Sequence, residues 1–346
     1  MYVAKNFHIR NLLRFSGVHI VWLSLWAGLV ATLYTFFTFK WMQMPWLPVS
    51  VLGTAVAFYI GFKNNSAYDR LWEARKIWGA IVNSSRMIGA SVKGYVGNYF
   101  RMDSLPDAEI HAIHQRLIYR HIAWLYTLRS QLLIPTSWEH LGRDHFAKGY
   151  FEMRKKQYGV GLFSDKVTEN GLENFLSDEE RERVIMFQNT ATQLIDNQSQ
   201  DLMKLREDDL IDDFRHMELQ KLMNELYTHQ GKCERIKKFP LPRQYASSSF
   251  IFVCIFIFLL PFGVIPAFQA IDPEIGQWIA MPFVILLGWV YVMMELIGDY
   301  SENPFEGLGN DIPMLALCRT IEIDLREMLG ETELPPKIEP VNNVLM

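Results

Sequence analysis

Trp41-Met-Gln-Met-Pro-Trp-Leu-Pro-Val-Ser-Val-Leu-Gly-Thr-Ala-Val-Ala-Phe-Tyr-Ile-Gly-Phe62 runs for 22 residues without an Asp, Glu, Lys or Arg, between Lys40 and Lys63. As a helix it is long enough to cross the roughly 30 Å hydrocarbon core of a bilayer. Three other runs match it: 25 uncharged residues between Arg14 and Lys40, 28 between Arg243 and Asp272, and 20 between Glu274 and Glu295. The stretch from Lys63 to Arg243, by contrast, carries 27 of the 34 basic residues. The averages over 346 residues, 50% hydrophobic and 21% charged, hide this distribution. It predicts an all-α integral membrane protein with four transmembrane helices and a large helical cytoplasmic domain. The corresponding partition is 1–62 for the N-terminal segment and spans one and two, 63–243 for the cytoplasmic domain, 244–299 for spans three and four, and 300–346 for a cytoplasmic tail.

The orientation follows from charge. Lys5, Arg10, Arg14, Lys63, Arg70, Arg75, Lys76, Arg235, Lys237, Lys238 and Arg243 flank the spans on the side of the termini and the central domain, whereas the two short turns hold Lys40 alone. The positive-inside rule therefore predicts a multi-pass protein of the cell membrane, of the bacterial inner-membrane kind, with both termini cytoplasmic. Trp22, Trp41, Trp46, Trp72 and Trp278 near span ends suit interfacial anchoring, and core packing explains each of them equally well. Gly17–Phe39 is too long for a cleaved signal peptide and lacks a small-residue cleavage pattern. A net charge of -4 gives no reason to bind nucleic acid. Cys233, Cys254 and Cys318 form no readable disulfide framework and read as free thiols.

Within the central domain the second span is expected to continue as the amphipathic stretch Asn65–Phe100, with Tyr68, Trp72, Arg75 and Gly79 on one face, since no proline intervenes before Pro106. Asp107–Gln131 reads as a helix bounded by Pro106 and Pro135. Pro135–Ser177 reads as an irregular connection. Ser177-Asp-Glu-Glu opens another helix in capping-box form, and Asp208–Gln230 forms one more, closed by Gly231. His111, His114 and His121 share a helical face at spacings that can chelate a metal, and Glu139, His140, Asp144 and His145 cluster nearby. A solvated face explains the first group as well, and neither comes with an activated nucleophile or a phosphate-binding loop. No enzyme, cofactor or metal site is therefore expected.

In the second span, Gly53, Ala57 and Gly61 recur every four residues, a small-residue stripe for close helix packing. Thr54, Phe58 and Phe62 form a parallel stripe about 100° further round. Periodicity alone leaves these phenylalanines open to lipid, to a neighbouring helix, or to the axis of a symmetric ring, where apolar constrictions gate pores by dewetting.

The run Ile60-Gly-Phe-Lys-Asn-Asn-Ser-Ala-Tyr-Asp-Arg-Leu-Trp-Glu-Ala-Arg-Lys-Ile-Trp-Gly79, directly after a span, resembles the signature of bacterial bestrophin-type channels. Gly231-Lys-Cys-Glu-Arg-Ile236 with Phe239-Pro-Leu-Pro-Arg-Gln-Tyr245, and Glu302-Asn-Pro-Phe-Glu306 after the fourth span, are similar to the family's segments there. The resemblance covers nearly the whole chain. It implies a bestrophin-like homopentamer in the lipid bilayer, with a single axial pore narrowed by a neck at Thr54, Phe58 and Phe62. Thr54 stands where the family usually has a bulky apolar residue, so that ring should be wider and more polar. A cytosolic constriction is implied near Met217, or at Phe214 one turn earlier.

Animal relatives bind calcium through acids after the Asn-Pro-Phe motif. Glu306 and Asp311 are the only carboxylates in Glu306–Pro313, too few for six to eight oxygen ligands, so no calcium is expected. The resemblance implies a conductance for monovalent ions, Na+ or Cl-. The outer turns hold Lys40 against Asp272 and Glu274, a weak net negative field that favours cations. The alternative is a membrane-anchored helical signalling or scaffold protein without conductance. A secondary transporter would require paired broken helices around a mid-membrane site, and Pro261 and Pro266 supply only one interrupted span. Glu295 and Asp299, one turn apart at the end of the fourth span, are expected to pair with basic residues such as Arg70 or Arg75.

Overall fold

The computed structural model describes residues 1–6, 9–37, 42–140 and 172–346. Lys40, Trp41, Asp144 and His145, and most of the Pro135–Ser177 connection, lie outside the described residues. Among those described, the secondary structure is helical. The helices are α1 (Ile9–Phe36), α2 (Trp46–Tyr95), α3 (Asp107–Leu132), α4 (Asp178–Ile185), α5 (Thr190–Glu207), α6 (Asp213–Lys238), α7 (Arg243–Gln269), α8 (Gly276–Asp299) and α9 (Met314–Leu329). The only β pairing among the described residues is a set of isolated bridges, Tyr2 with Val344 and Val341 with Val344. Among the described residues, four helices are long and apolar enough to cross a membrane.

The chain packs as two compact units. The first comprises 4–70 and 240–303; the second comprises 1–3, 71–239 and 304–346. The boundaries of these packing units fall after Arg70, Phe239 and Asn303.

In the first unit α8 packs against α7 and α1. The core is built from Leu23, Ala27 and Ala31 of α1, Val56 and Ile60 of α2, Val253, Phe256 and Leu260 of α7, and Ala280 and Val284 of α8. Small residues set the spacing: a Cβ on Gly288 would press into Leu23, and one on Gly53 into Phe256. Close backbone approach of this kind drives helix association where lipid is as apolar as the side chains. Pro48 lies in the first turn of α2, where its missing N–H costs nothing.

In the second unit α3 lies against α5, α6 and α9. Its buried face includes Leu117, Ile118, Ile122, Trp124, Leu125 and Leu128. Arg120 is buried there and fully engaged, donating to Glu180, to Gln198 (2.9 Å) and to Asp201 (2.8 Å). Ser177 caps α4 by accepting from the Glu180 N–H, as its capping-box pattern implies.

One expected helix is corrected at both ends. Asp208–Ile211 is a link, in which Asp209 takes a left-handed φ of 57°, and the helix starts at Asp213, after Asp212, whose side chain accepts from the Arg215 N–H at 3.1 Å. At the other end Gly231 does not close the helix, which continues to Lys238. The stop is Phe239-Pro240: a residue before proline is pushed out of the helical region, and Phe239 takes φ -117°, ψ 100°.

Candidate ion pathway

The membrane part of α2 has two unlike sides. Val56 and Ile60 are buried in the first unit's core, and Gly53 meets Phe256 while its carbonyl accepts from the Tyr291 hydroxyl at 2.9 Å. Thr54, Phe58 and Phe62 lie on the other side, with Phe58 70% and Phe62 58% exposed in the single chain. Phe58 and Phe62 contact each other edge to face, ring centroids 4.6 Å apart. The Thr54 hydroxyl is turned back onto its own helix, donating to the Ser50 carbonyl at 3.0 Å. The exposed face continues along the same helix through Tyr68, Trp72, Arg75 and Gly79.

The small-residue stripe divides. Gly53 packs tightly, Ala57 is half-buried, and Gly61 is exposed with no neighbour within 4 Å of a notional Cβ in this chain. In the second unit, Phe214 and Met217 occupy the first turns of α6 and are 80% and 58% exposed.

The Lys63 end of this α2 segment holds a polar cluster with pairings other than those expected. Lys63 is buried and pairs with Glu295 of α8, not Arg70 or Arg75. The other Glu295 oxygen accepts from the Ser249 hydroxyl of α7 at 2.5 Å. Next to it, the Asn64 amide donates to the Met294 carbonyl at 2.9 Å. Arg70 donates through Nε to the Glu302 carbonyl at 2.9 Å, and Arg75 lies 3.4 Å from the Met1 sulfur. The signal available in the sequence was that Lys63 and Glu295 are the first charges after two apolar runs ending on one side of the membrane. Ser249 carried no signal.

Among the described residues, the suspected metal groups do not converge. His121 is fully buried, stacks on Trp124, and contacts the Ser85 hydroxyl through Nε2 at 2.9 Å. Because that hydroxyl donates to the Ile81 carbonyl, Nε2 is the donor in the contact. Burial holds the His121 pKa down to about 3. His114 points elsewhere, to the Val96 carbonyl at 2.9 Å, and its pKa is lowered mainly by burial. Glu139 pairs with Lys237 at 2.5 Å, and His140 with Glu306 at 3.0 Å. Asp311 accepts from the backbone N–H groups of Phe305, Gly307 and Ile312. Among the described residues, no three His, Cys, Asp or Glu side chains are arranged to hold a metal ion.

A family model described as "Bacterial/Fungal Bestrophin protein" matches residues 17–327. The chain belongs to this bestrophin family. Among relatives of this bestrophin, the "Voltage-dependent anion channel-forming protein YneE" of Escherichia coli K12 is 27% identical over 293 residues, 85% of this chain and 80% of that protein. The "Voltage-dependent anion channel-forming protein mll4386" of Mesorhizobium japonicum is 26% identical over 293 residues, 85% and 77% of the two chains. In fold, this bestrophin is similar to a bacterial bestrophin homologue from Klebsiella pneumoniae, with a TM-score of 0.71 and 21% identity over 91% of this chain and 98% of that one.

Proposed function

We propose that this bestrophin is an ion channel in the cell membrane, assembled as a homopentamer around one axial pore. The observation that carries the reading is the two-sided α2: one side is cemented into the protomer's core, and the opposite side presents Phe58 and Phe62 uncovered at one-turn spacing. Five copies of such a side facing an axis make two apolar rings that an ion crosses only partly dehydrated or after wetting. Thr54, with its hydroxyl bonded to its own helix, adds a wider ring above them. Met217, or Phe214, supplies a second narrowing at the cytosolic exit. Both termini and the 63–243 domain lie on the basic, cytoplasmic side.

The pathway serves monovalent ions, with cations favoured by Asp272 and Glu274 at the outer turn; Glu274 is exposed there, and Asp272 also accepts two backbone N–H bonds. A preference for anions is the second reading, and the names of the curated relatives favour it. Purified protein in planar bilayers under a sodium chloride gradient tests both levels. A reversal potential toward sodium supports the cation reading and one toward chloride the anion reading, whereas a flat current refutes the channel and leaves the membrane-anchored scaffold.

A further inference from the structure

The segment of α2 that bears the neck is tied to α8 at both of its ends. On the outer side the Tyr291 hydroxyl donates to the Gly53 carbonyl at 2.9 Å. On the inner side Lys63 pairs with Glu295, and Asn64 donates to the Met294 carbonyl at 2.9 Å. Tyr291 and Glu295 are four residues apart on α8, and Gly53 and Lys63 ten residues apart on α2, with Thr54, Phe58 and Phe62 all between the two ties. Ser249 brings α7 to the same carboxylate, so three helices meet at Glu295. The fit is close enough that a Cβ on Gly298 would overlap the Asn64 side-chain oxygen.

An ion pair buried at the end of a span is a poor source of net stability, because desolvation offsets the attraction. Its effect is on phase. The α2 surface facing the core is Gly53, Val56 and Ile60, and the close fit of Gly53 on Phe256 favours the same setting from the other end. A buried charge discriminates strongly. Turning α2 by one residue, about 100°, would carry the Lys63 ammonium away from Glu295 and leave that buried carboxylate with the Ser249 hydroxyl alone.

We infer that Lys63 and Glu295, with Ser249 and Asn64, are positioning residues that fix the rotational setting of α2 and so present Phe58 and Phe62 to the pore; the inference rests on the neck reading above. The pair touches no permeating ion. It acts by making one orientation of the rings the only one in which the buried charges are paired.

The test pairs single-channel recording with thermal melts of the full-length channel. Lys63→Met combined with Glu295→Leu removes both charges and leaves neither stranded. The expected result is a melting temperature close to native, together with several conductance levels and a raised closed-state leak in place of one unitary current. In a Phe58→Ala/Phe62→Ala background, the same pair of changes should add no further leak. Native unitary current and leak in the Lys63→Met/Glu295→Leu channel would overturn the proposal, as would an additional leak in the alanine background. If that channel does not fold, Glu295→Asp keeps both charges while withdrawing the carboxylate by one methylene; an altered unitary current is expected there, and a native one overturns the proposal. The neck is judged separately. Phe58→Ala/Phe62→Ala with native current refutes the neck, and the positioning role with it, whereas raised current in that variant beside native current in the charge-pair variants refutes the positioning role alone.

Discussion

Truncating the neck phenylalanines sets two readings of the same residues against each other, because pore-lining and core side chains lose very different things on becoming alanine. A fully buried Phe→Ala change costs about 3–5 kcal/mol through lost transfer energy and the cavity left behind. Phe58 is 70% and Phe62 58% exposed in the single chain, so well under half of that applies, about 1–2 kcal/mol each. Their edge-to-face contact adds about 0.5–1.5 kcal/mol, lost once whichever ring is removed. Phe256, 3% exposed and seated against Gly53, is the control and should cost the full amount as Phe256→Ala. Permeation should move in the opposite sense: Phe58→Ala and Phe62→Ala shorten the apolar rings and should raise conductance or open probability, whereas Phe256→Ala should not. Melting temperatures and single-channel currents on the same three preparations read both quantities. If Phe58→Ala destabilises as much as Phe256→Ala and leaves the current unraised, the neck reasoning fails.

Other expectations follow from the second unit and the turn between α7 and α8. His121 is neutral in the fold, with its pKa held near 3 against 6.5 when unfolded, so the unfolded chain takes up the proton first and stability falls as pH drops from about 6.5 toward 3. At about 1.4 kcal/mol per pH unit, the loss by pH 5 is about 2 kcal/mol, and His121→Gln should flatten that part of the stability profile; equal acid losses in both proteins would refute this. Arg120→Ala takes the buried guanidinium from Glu180, leaves Asp201 with Arg116 alone and should cost about 3–5 kcal/mol, against under about 1 kcal/mol for the half-exposed Arg116→Ala, both read from melting curves. Asp272→Asn with Glu274→Gln should shift the reversal potential in a sodium chloride gradient toward chloride, and an unchanged value removes the outer turn from selectivity. Calcium titrated into purified protein should give no saturable heat, since Glu306 and Asp311 already accept protein N–H groups, and a saturable signal would show a site.

The membrane helices were legible because the absence of charge over twenty or more residues is a property of local sequence and needs no knowledge of neighbours. Helix ends were less so. Gly231 reads as a stop but costs only about 1 kcal/mol inside a helix, which the packed α6 absorbs, whereas the steric conflict at Phe239-Pro240 cannot be absorbed. The stripe proposed as the neck was legible as a shared face, since Thr54, Phe58 and Phe62 fall together in any helix. The meaning of the adjacent small-residue stripe was not: Gly53 has Phe256 against it and Gly61 has nothing in this chain, a difference fixed by where α7 lies rather than by α2's own sequence. Long-range pairing was the least legible. Glu295 has several basic residues within a plausible distance in sequence terms, and only the packing of α2, α7 and α8 selects Lys63 and Ser249.

The Lys63–Glu295 pair also sets an order of events at birth. Its partners are separated by 232 residues, so at about 5–20 residues per second the ammonium emerges about 10–45 s before the carboxylate that neutralises it is synthesised. Until then Lys63 is an unpaired charge at the end of its span, and the nascent α2 lacks the contact that completes its packing. The first unit, assembled from 4–70 and 240–303, can therefore close only when the fourth span arrives. A chain truncated before Glu295 would carry an unpaired charge at a helix contact.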